Sequence, residues 1–136
     1  MIFKRLLQSS SGSSAIQFAF VAPLLIVMTL GIVDMGRLGL TASSMRNAAI
    51  EAARFASLRG ASSPTPATET SIVAVVKDQA VGIPRNELSV TVTWTPNNNP
   101  GSEVKVEVAY PLTLFVSSLI PVPGINLRRS SAMMIY

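Results

Sequence analysis

The longest apolar stretch of the chain lies near its N-terminus. No charged residue occurs from Leu6 to Val33, and Lys4 and Arg5 stand immediately before this stretch. Roughly 20 apolar residues, rising 1.5 Å each as a helix, span the hydrocarbon core of a bilayer. The pattern therefore predicts a basic leader over residues 1–12 and a transmembrane helix over residues 13–33.

A cleaved secretory signal is the alternative for this segment. Such a signal also begins with basic residues, but its apolar region covers about 7–15 residues and ends at a small-x-small cleavage site. Here the apolar run is longer, and Leu40 stands before the nearest cluster of small residues, 41–44, where a small residue is required. We therefore expect a retained anchor.

Helical character continues beyond the apolar run. No proline occurs from Asp34 through Leu58, and the pattern predicts an amphipathic stem over residues 34–59 with Gly60 as its C-terminal stop. Its apolar stripe, spaced at three- and four-residue steps, consists of Leu38, Met45, Ala49, Ala52 and Ala56. Small residues on such a face fit close packing against another helix or docking on the chain's own domain, and the pattern leaves both open.

The remaining residues predict a loop over 60–71 and a small α+β domain over 72–136. A short helix begins near Ile72, with Thr68 or Thr70 as its cap. Two alternating segments, 88–95 and 104–110, predict a hairpin with one dry face. Pro111 is expected to end the second strand.

The last residues alternate again and predict a third strand. Ile125, Leu127, Met133 and Ile135 share one parity, although Arg129 and Ser131 on the same parity weaken the pattern. Between these strands, residues 112–120 fit either a short helix or a loop. The fold class predicted is α+β, with a long N-terminal helix packed on an antiparallel sheet of about three strands.

Composition argues against catalysis. Cysteine and histidine are both absent, which removes thiolate chemistry and the commonest general base and metal ligand. The seven carboxylates form no short-range paired motif. We expect no enzymatic activity, no cofactor and no metal. A tethered hydrolase that pairs Lys77 with a serine is an alternative for which nothing in the sequence supplies the geometry.

The net charge of +4 does not indicate nucleic-acid binding. The eleven lysines and arginines are scattered along the chain, and no basic stripe with interleaved aromatic residues occurs. Attraction to anionic lipid headgroups near the ends of the anchor is an alternative use for several of them. Trp94 and Tyr110, on the predicted strands, are interpreted as core residues.

One local sequence carries a family resemblance. It comprises the basic leader, the segment from Gly12 to Val27, the segment Gly31-Ile-Val-Asp-Met-Gly-Arg37 and the alanine-rich residues 47–54. Over these residues the chain resembles the TadE-like family, the minor pseudopilins of the tight-adherence (type IVc) pilus assembly and secretion system. The resemblance is strongest over residues 12–37 and weak in the predicted sheet.

The resemblance implies processing by a prepilin peptidase after Gly12, which would leave Ser13 as the new N-terminus. It also assigns assembly roles to Gln17, Phe18 and Pro23 in the apolar helix. Members of the family usually carry glutamate where this chain has Gln17. Glutamine keeps the hydrogen-bonding reach toward a neighbouring subunit's amine without the charge, so we expect weaker attraction.

Asp34 and Arg37 stand at i,i+3 spacing at the membrane exit and are predicted to pair and to set the depth of the helix. Charge counting does not decide orientation, because Lys4 and Arg5 on one side are matched by Arg37 and Arg46 on the other. The resemblance implies a cytoplasmic N-terminus and an extracytoplasmic domain.

Together these expectations describe a single-pass, non-enzymatic pseudopilin of a bacterial inner membrane. Its expected partners are the lipid bilayer, the prepilin peptidase, other pilin-like subunits and pilus assembly proteins, and incorporation into a surface pilus remains open. The alternative is a membrane-tethered binding or accessory module that is neither processed nor part of a pilus.

Overall fold

The computed structural model describes residues 10–136; the leader residues Lys4 and Arg5 lie outside this range. A long helix, α1, is followed by a shorter helix, a hairpin, one 3₁₀ turn and a last strand. The elements are α1 (Ser10–Ser57), α2 (Glu69–Gln79), β1 (Ser89–Thr95), β2 (Glu103–Leu112), the 3₁₀ helix Val116–Ser118 and β3 (Ile125–Met134). The predicted α+β class, with its long N-terminal helix and small antiparallel sheet, is confirmed.

The two halves of α1 have different surroundings. Up to Val33, most of the large apolar side chains are exposed, and α1 is long and apolar enough to cross a membrane. Beyond Leu40, one face of α1 is fully buried against the rest of the chain. At 1.5 Å per residue, the 48 residues of α1 extend over about 72 Å.

The buried face of α1 is a stripe of alanines. Its fully buried residues are Met45, Ala48, Ala49, Ala52, Ala53 and Ala56. The sheet presents Val104, Val106 and Val108 of β2 to the same core. Because alanine side chains are small, the α1 backbone approaches the sheet closely. The stripe that could have served another helix is thus covered by the chain's own domain.

The three strands form an antiparallel sheet in the order β1-β2-β3. Val90 pairs with Val108 in one ladder, and Val108 pairs with Arg129 in the other. Inward and outward residues alternate along β1 and β2 as the sequence predicts. The inward face packs on α1, and the outward face carries mainly threonines and charged side chains.

Helix α2 begins with a capping box. The Thr68 hydroxyl accepts a hydrogen bond from the Ser71 backbone N–H, and the Ser71 hydroxyl accepts one from the Thr68 N–H. These bonds satisfy backbone donors that the first turn leaves free. Thr68 rather than Thr70 is therefore the cap, and α2 begins three residues before Ile72, which lies in the core with Val76.

The expectation that Pro111 ends the second strand is wrong. Strand β2 continues to Leu112, with Pro111 opposite Asn126 of β3. Strand β1 ends its pairing opposite Ala109, so nothing pairs with Pro111 on that side. Proline lacks a backbone N–H and is tolerated where a ladder is missing on one side.

Gly60 follows α1 and is buried, but it does not act through a positive φ angle, which occurs only at Gly82 and Gly101 among the described residues. A Cβ atom at Gly60 would lie 2.5 Å from Ile135 Cγ2 and 3.3 Å from the Asn98 backbone oxygen. The C-terminal residues therefore close over the end of α1 at a position where only glycine fits.

Candidate functional site

Asp34 organises the site at the end of the apolar half of α1. It is the first charged residue after the apolar run and is almost fully buried. Its Oδ1 accepts a hydrogen bond from the Phe115 backbone N–H, and its Oδ2 accepts one from the Val116 N–H, both at 2.9 Å. One carboxylate thus satisfies two backbone donors at the start of the 3₁₀ helix.

Arg37, one turn later on α1, completes the arrangement. Its guanidinium lies 3.3 Å from Asp34 Oδ1 and donates a hydrogen bond of 3.3 Å to the Thr113 carbonyl oxygen. The same group stacks over the Phe115 ring at 4.1 Å from the centroid, a cation–π contact. The predicted i,i+3 pair is present, and it also holds a loop that is distant in sequence.

The pKa of the Asp34 carboxyl is lowered from its ordinary value. Burial acts in the opposite direction, but the two backbone N–H donors and the Arg37 guanidinium favour the ionised form and outweigh it. Asp34 lies outside the apolar spanning segment. It is held as a carboxylate that fixes the loop, and this geometry gives it a structural role.

The loop that Asp34 and Arg37 hold connects β2 to β3; we define residues 113–124 as the exit loop. Sequence reasoning identified the Asp34–Arg37 pair but missed Phe115 and Val116 as its partners. The apolar run after Pro111 was the available sign of an unusual loop. No residue in that run indicates which position of α1 accepts hydrogen bonds from the backbone N–H groups of the loop.

A groove of about 690 Å³ lies beside the exit loop, between α1, the end of α2 and β2. Arg37 is the one charged side chain among its lining residues, which also include Leu40, Asn47, Gln79 and Tyr110. The titratable groups that line the groove are Arg37 and Tyr110, and its lining residues include no carboxylate. Residues 10–136 likewise contain no cluster of potential metal ligands.

The residues assigned to processing and assembly lie along the exposed half of α1. Gly12, Ser13, Gln17, Phe18 and Pro23 are all exposed and are far in sequence from the Asp34 site. Gly12 and Ser13 lie inside α1, which the structure describes from Ser10. Pro23 is accommodated within the continuous helix. Their predicted roles stay predictions.

Trp94 and Tyr110 are partly buried and pack against the core. Their positions on the inward-facing parity of β1 and β2 agree with the interpretation as core residues. The Trp94 Nε1 is buried without a hydrogen-bond partner. The outward face of the sheet, in contrast, carries Thr91, Thr93 and Lys105.

These features define a class of protein. One helix, long and apolar enough to cross a membrane, carries a small α+β domain on its C-terminal half, an arrangement compatible with single-pass anchoring. A family model described as TadE-like protein matches residues 12–54, which cover the apolar half of α1 and most of the buried stripe. The resemblance to the TadE-like family is confirmed over this segment. No curated protein and no solved structure shows a significant match to the chain.

Proposed function

We propose that this protein is a minor pseudopilin-like subunit of a tight-adherence pilus machine, anchored in the inner membrane of a bacterium. The TadE-like match over residues 12–54 is the observation that carries the proposal. In this proposal the N-terminus faces the cytoplasm and the α+β domain lies outside it. The prepilin peptidase cuts after Gly12, and the protein has no enzymatic activity of its own.

The division of α1 into two halves supports an assembly role for its first half. The alanine stripe beyond Leu40 is already buried in the core that α1 shares with α2 and the sheet, so it offers no surface to a neighbouring subunit. The apolar side chains before Val33, including Phe18 and Leu25, are exposed and contact either lipid or other apolar helices in a membrane. Lateral packing between subunits therefore uses residues 13–33.

Gln17 sets the strength of that packing. An amide at this position can accept a hydrogen bond from a neighbouring amine, but it lacks the charge that would offset the cost of an ammonium group in lipid. We expect the subunit to join an assembly at low stoichiometry, as a minor component.

The second candidate is a tethered binding module outside the pilus, and the outward face of the sheet favours it. Thr91, Thr93 and Lys105 are exposed on this polar face, and Glu107 beside them is half-buried. Such a face suits a specific soluble partner of a tethered module. The two candidates differ in whether the contacts of the apolar helix depend on pilus proteins.

Photo-crosslinking separates the two candidates. A benzoylphenylalanine replaces Phe18, which is exposed, in cells with and without the remaining pilus genes. The same replacement at Phe55, which packs on the chain's own core, is the matched control. We expect crosslinks from position 18 to a pilin-like subunit, lost when the pilus genes are deleted. Crosslinks that survive the deletion, or none at all, would favour the tethered module.

A further inference from the structure

We propose that the exit loop, residues 113–124, is a second membrane contact that inserts its apolar side chains into the lipid interface beside α1. This inference rests on the membrane span of the proposed function and is independent of its pilus role. It concerns a surface that lies outside the TadE-like match at residues 12–54.

The exit loop lies at the level where α1 leaves the membrane. Asp34 is the first residue after the spanning segment 13–33, so it lies at the level where α1 leaves the hydrocarbon. The Phe115 and Val116 N–H groups lie 2.9 Å from its carboxylate oxygens. The exit loop is therefore fixed at the membrane surface by direct hydrogen bonds to the helix that crosses it.

The exit loop and the residues that flank it are uncharged. Glu107 and Arg128 are the nearest charged residues on either side of the exit loop, and no charge occurs between them. The loop also exposes four large apolar residues, with relative solvent exposures of 50% for Phe115, 55% for Leu119, 41% for Ile120 and 38% for Val122. A contiguous apolar patch on a small domain marks an interaction surface.

Lipid is the partner that covers this apolar patch. The backbone of Phe115 and Val116 is hydrogen-bonded to Asp34, which directly follows Ile32 and Val33 in the exposed apolar half of α1. The bilayer covers that half of α1 in the proposed orientation. Arg37 stacks on Phe115 with its side chain 34% exposed, which places a cation at headgroup level beside the inserted ring. An aromatic ring with an adjacent arginine is suited to this boundary between apolar and polar layers.

Two contacts would hold the domain more firmly than one. A single helix leaves the domain free to rotate about the helix axis and to tilt. Insertion of the exit loop on one side of α1 restricts both motions. The groove and the outward face of the sheet then keep a fixed orientation relative to the membrane. A partner would then find the sheet in one orientation.

The absence of cysteine from the chain allows a direct test with single-cysteine variants of the full-length protein. Leu119→Cys and Val122→Cys report on the exit loop, and both side chains are exposed, so the substitutions leave the core intact. Each variant carries an environment-sensitive fluorophore and is reconstituted into phosphatidylcholine–phosphatidylglycerol vesicles. Quenching by lipids with a doxyl group near the headgroup measures contact with the interface, and quenching by lipids with a doxyl group deep in the acyl chain measures contact of the Leu25 label with the bilayer core.

Two further variants serve as controls. Leu25→Cys lies in the spanning segment and tests the anchor itself. Val81→Cys is the matched exposed apolar position: its carbonyl accepts a hydrogen bond from the Ser44 hydroxyl, ten residues beyond Asp34 and thus about 15 Å higher along α1.

We expect the labels at Leu119 and Val122 to be quenched several-fold more than the label at Val81. If Leu25 is quenched but both exit-loop labels behave like Val81, the span stands and the inference is overturned. If the exit-loop labels are shielded from both lipid and aqueous quenchers in a manner that depends on protein concentration, a second copy covers the patch and the inference is again overturned. Failure of Leu25 to be quenched would remove the span and the inference together.

Discussion

The Asp34 carboxylate and the Phe115 backbone N–H are joined by a hydrogen bond of 2.9 Å across 81 residues of sequence. This bond, with its neighbour to Val116, ties the connection between β2 and β3 to the point where α1 ends its apolar run. The Asp34 side chain therefore fixes the exit loop at this point of α1, while the buried face of α1 holds the sheet.

Replacement of Asp34 by asparagine is expected to lower the melting temperature of the full-length protein in detergent. The amide presents one oxygen where two backbone donors need acceptors, and it removes the ionic contact with Arg37. Asp78→Asn is the matched control, because Asp78 pairs with Arg85 at 3.2 Å with both side chains largely exposed, and exposed pairs contribute little. Equal melting temperatures for the two variants would contradict the structural role of Asp34.

The contribution of Asp34 to the free energy of unfolding is expected to fall in acid. Its pKa is lowered in the folded protein relative to the ordinary value of 3.8, so its contribution is fully present above that value. It is lost as the pH falls through the lowered pKa, because the folded state then takes up the proton that it had excluded. Thermal unfolding of the parent and Asp34→Asn, measured against pH, should give curves that differ at neutral pH and converge in acid. A constant difference down to the lowest pH would refute this.

Gly60→Ala is expected to destabilise the domain by about 1–3 kcal/mol, the usual cost of excess volume in a packed core. The added methyl group would meet Ile135 and the Asn98 backbone. Gly39→Ala is the control, because a Cβ atom there meets nothing within 4 Å and alanine favours helix by about 0.5–1 kcal/mol. Denaturant unfolding of both variants measures the contrast, and a Gly60→Ala protein as stable as the parent would show that the C-terminal residues do not close over α1.

Substitutions along α1 should separate its two halves. Ala52 is fully buried in the core that α1 shares with α2 and the sheet, so Ala52→Leu is expected to cost about 1–3 kcal/mol through overpacking. Ala19 is exposed in the apolar half, and Ala19→Leu should leave unfolding of the domain unchanged. Circular dichroism in denaturant measures both. Equal stability of the two variants would mean that the alanine stripe does not pack on the sheet.

Local sequence patterns predicted most of this fold because each strand buries one face. The alternation of Val104, Val106 and Val108 with polar residues determines which side faces the core, and the length of the uncharged run indicates a helix long enough to cross a membrane. The alanine stripe of α1 did not reveal what packs against it, since small side chains suit a sheet and a second helix equally. The link from Asp34 to Phe115 could not be predicted, because the backbone donors of a loop carry no side-chain signature.

Gly12→Val is expected to block maturation by the prepilin peptidase. A Cβ atom at Gly12 meets nothing within 4 Å, so the substitution leaves the fold of this chain undisturbed and acts on the approach of the peptidase. Gly36→Val is the matched control, because it places the same side chain at another glycine of α1 with open space around it. Comparison of the processed fraction on gels should show loss for Gly12→Val and none for Gly36→Val.

The most direct measurement is the intact mass of the protein extracted from membranes, after expression with and without the cognate prepilin peptidase. We predict loss of the residues from Met1 to Gly12 only when the peptidase is present, which leaves a chain that begins at Ser13. An unchanged mass in both preparations would contradict the pseudopilin assignment and leave a tethered module as the function.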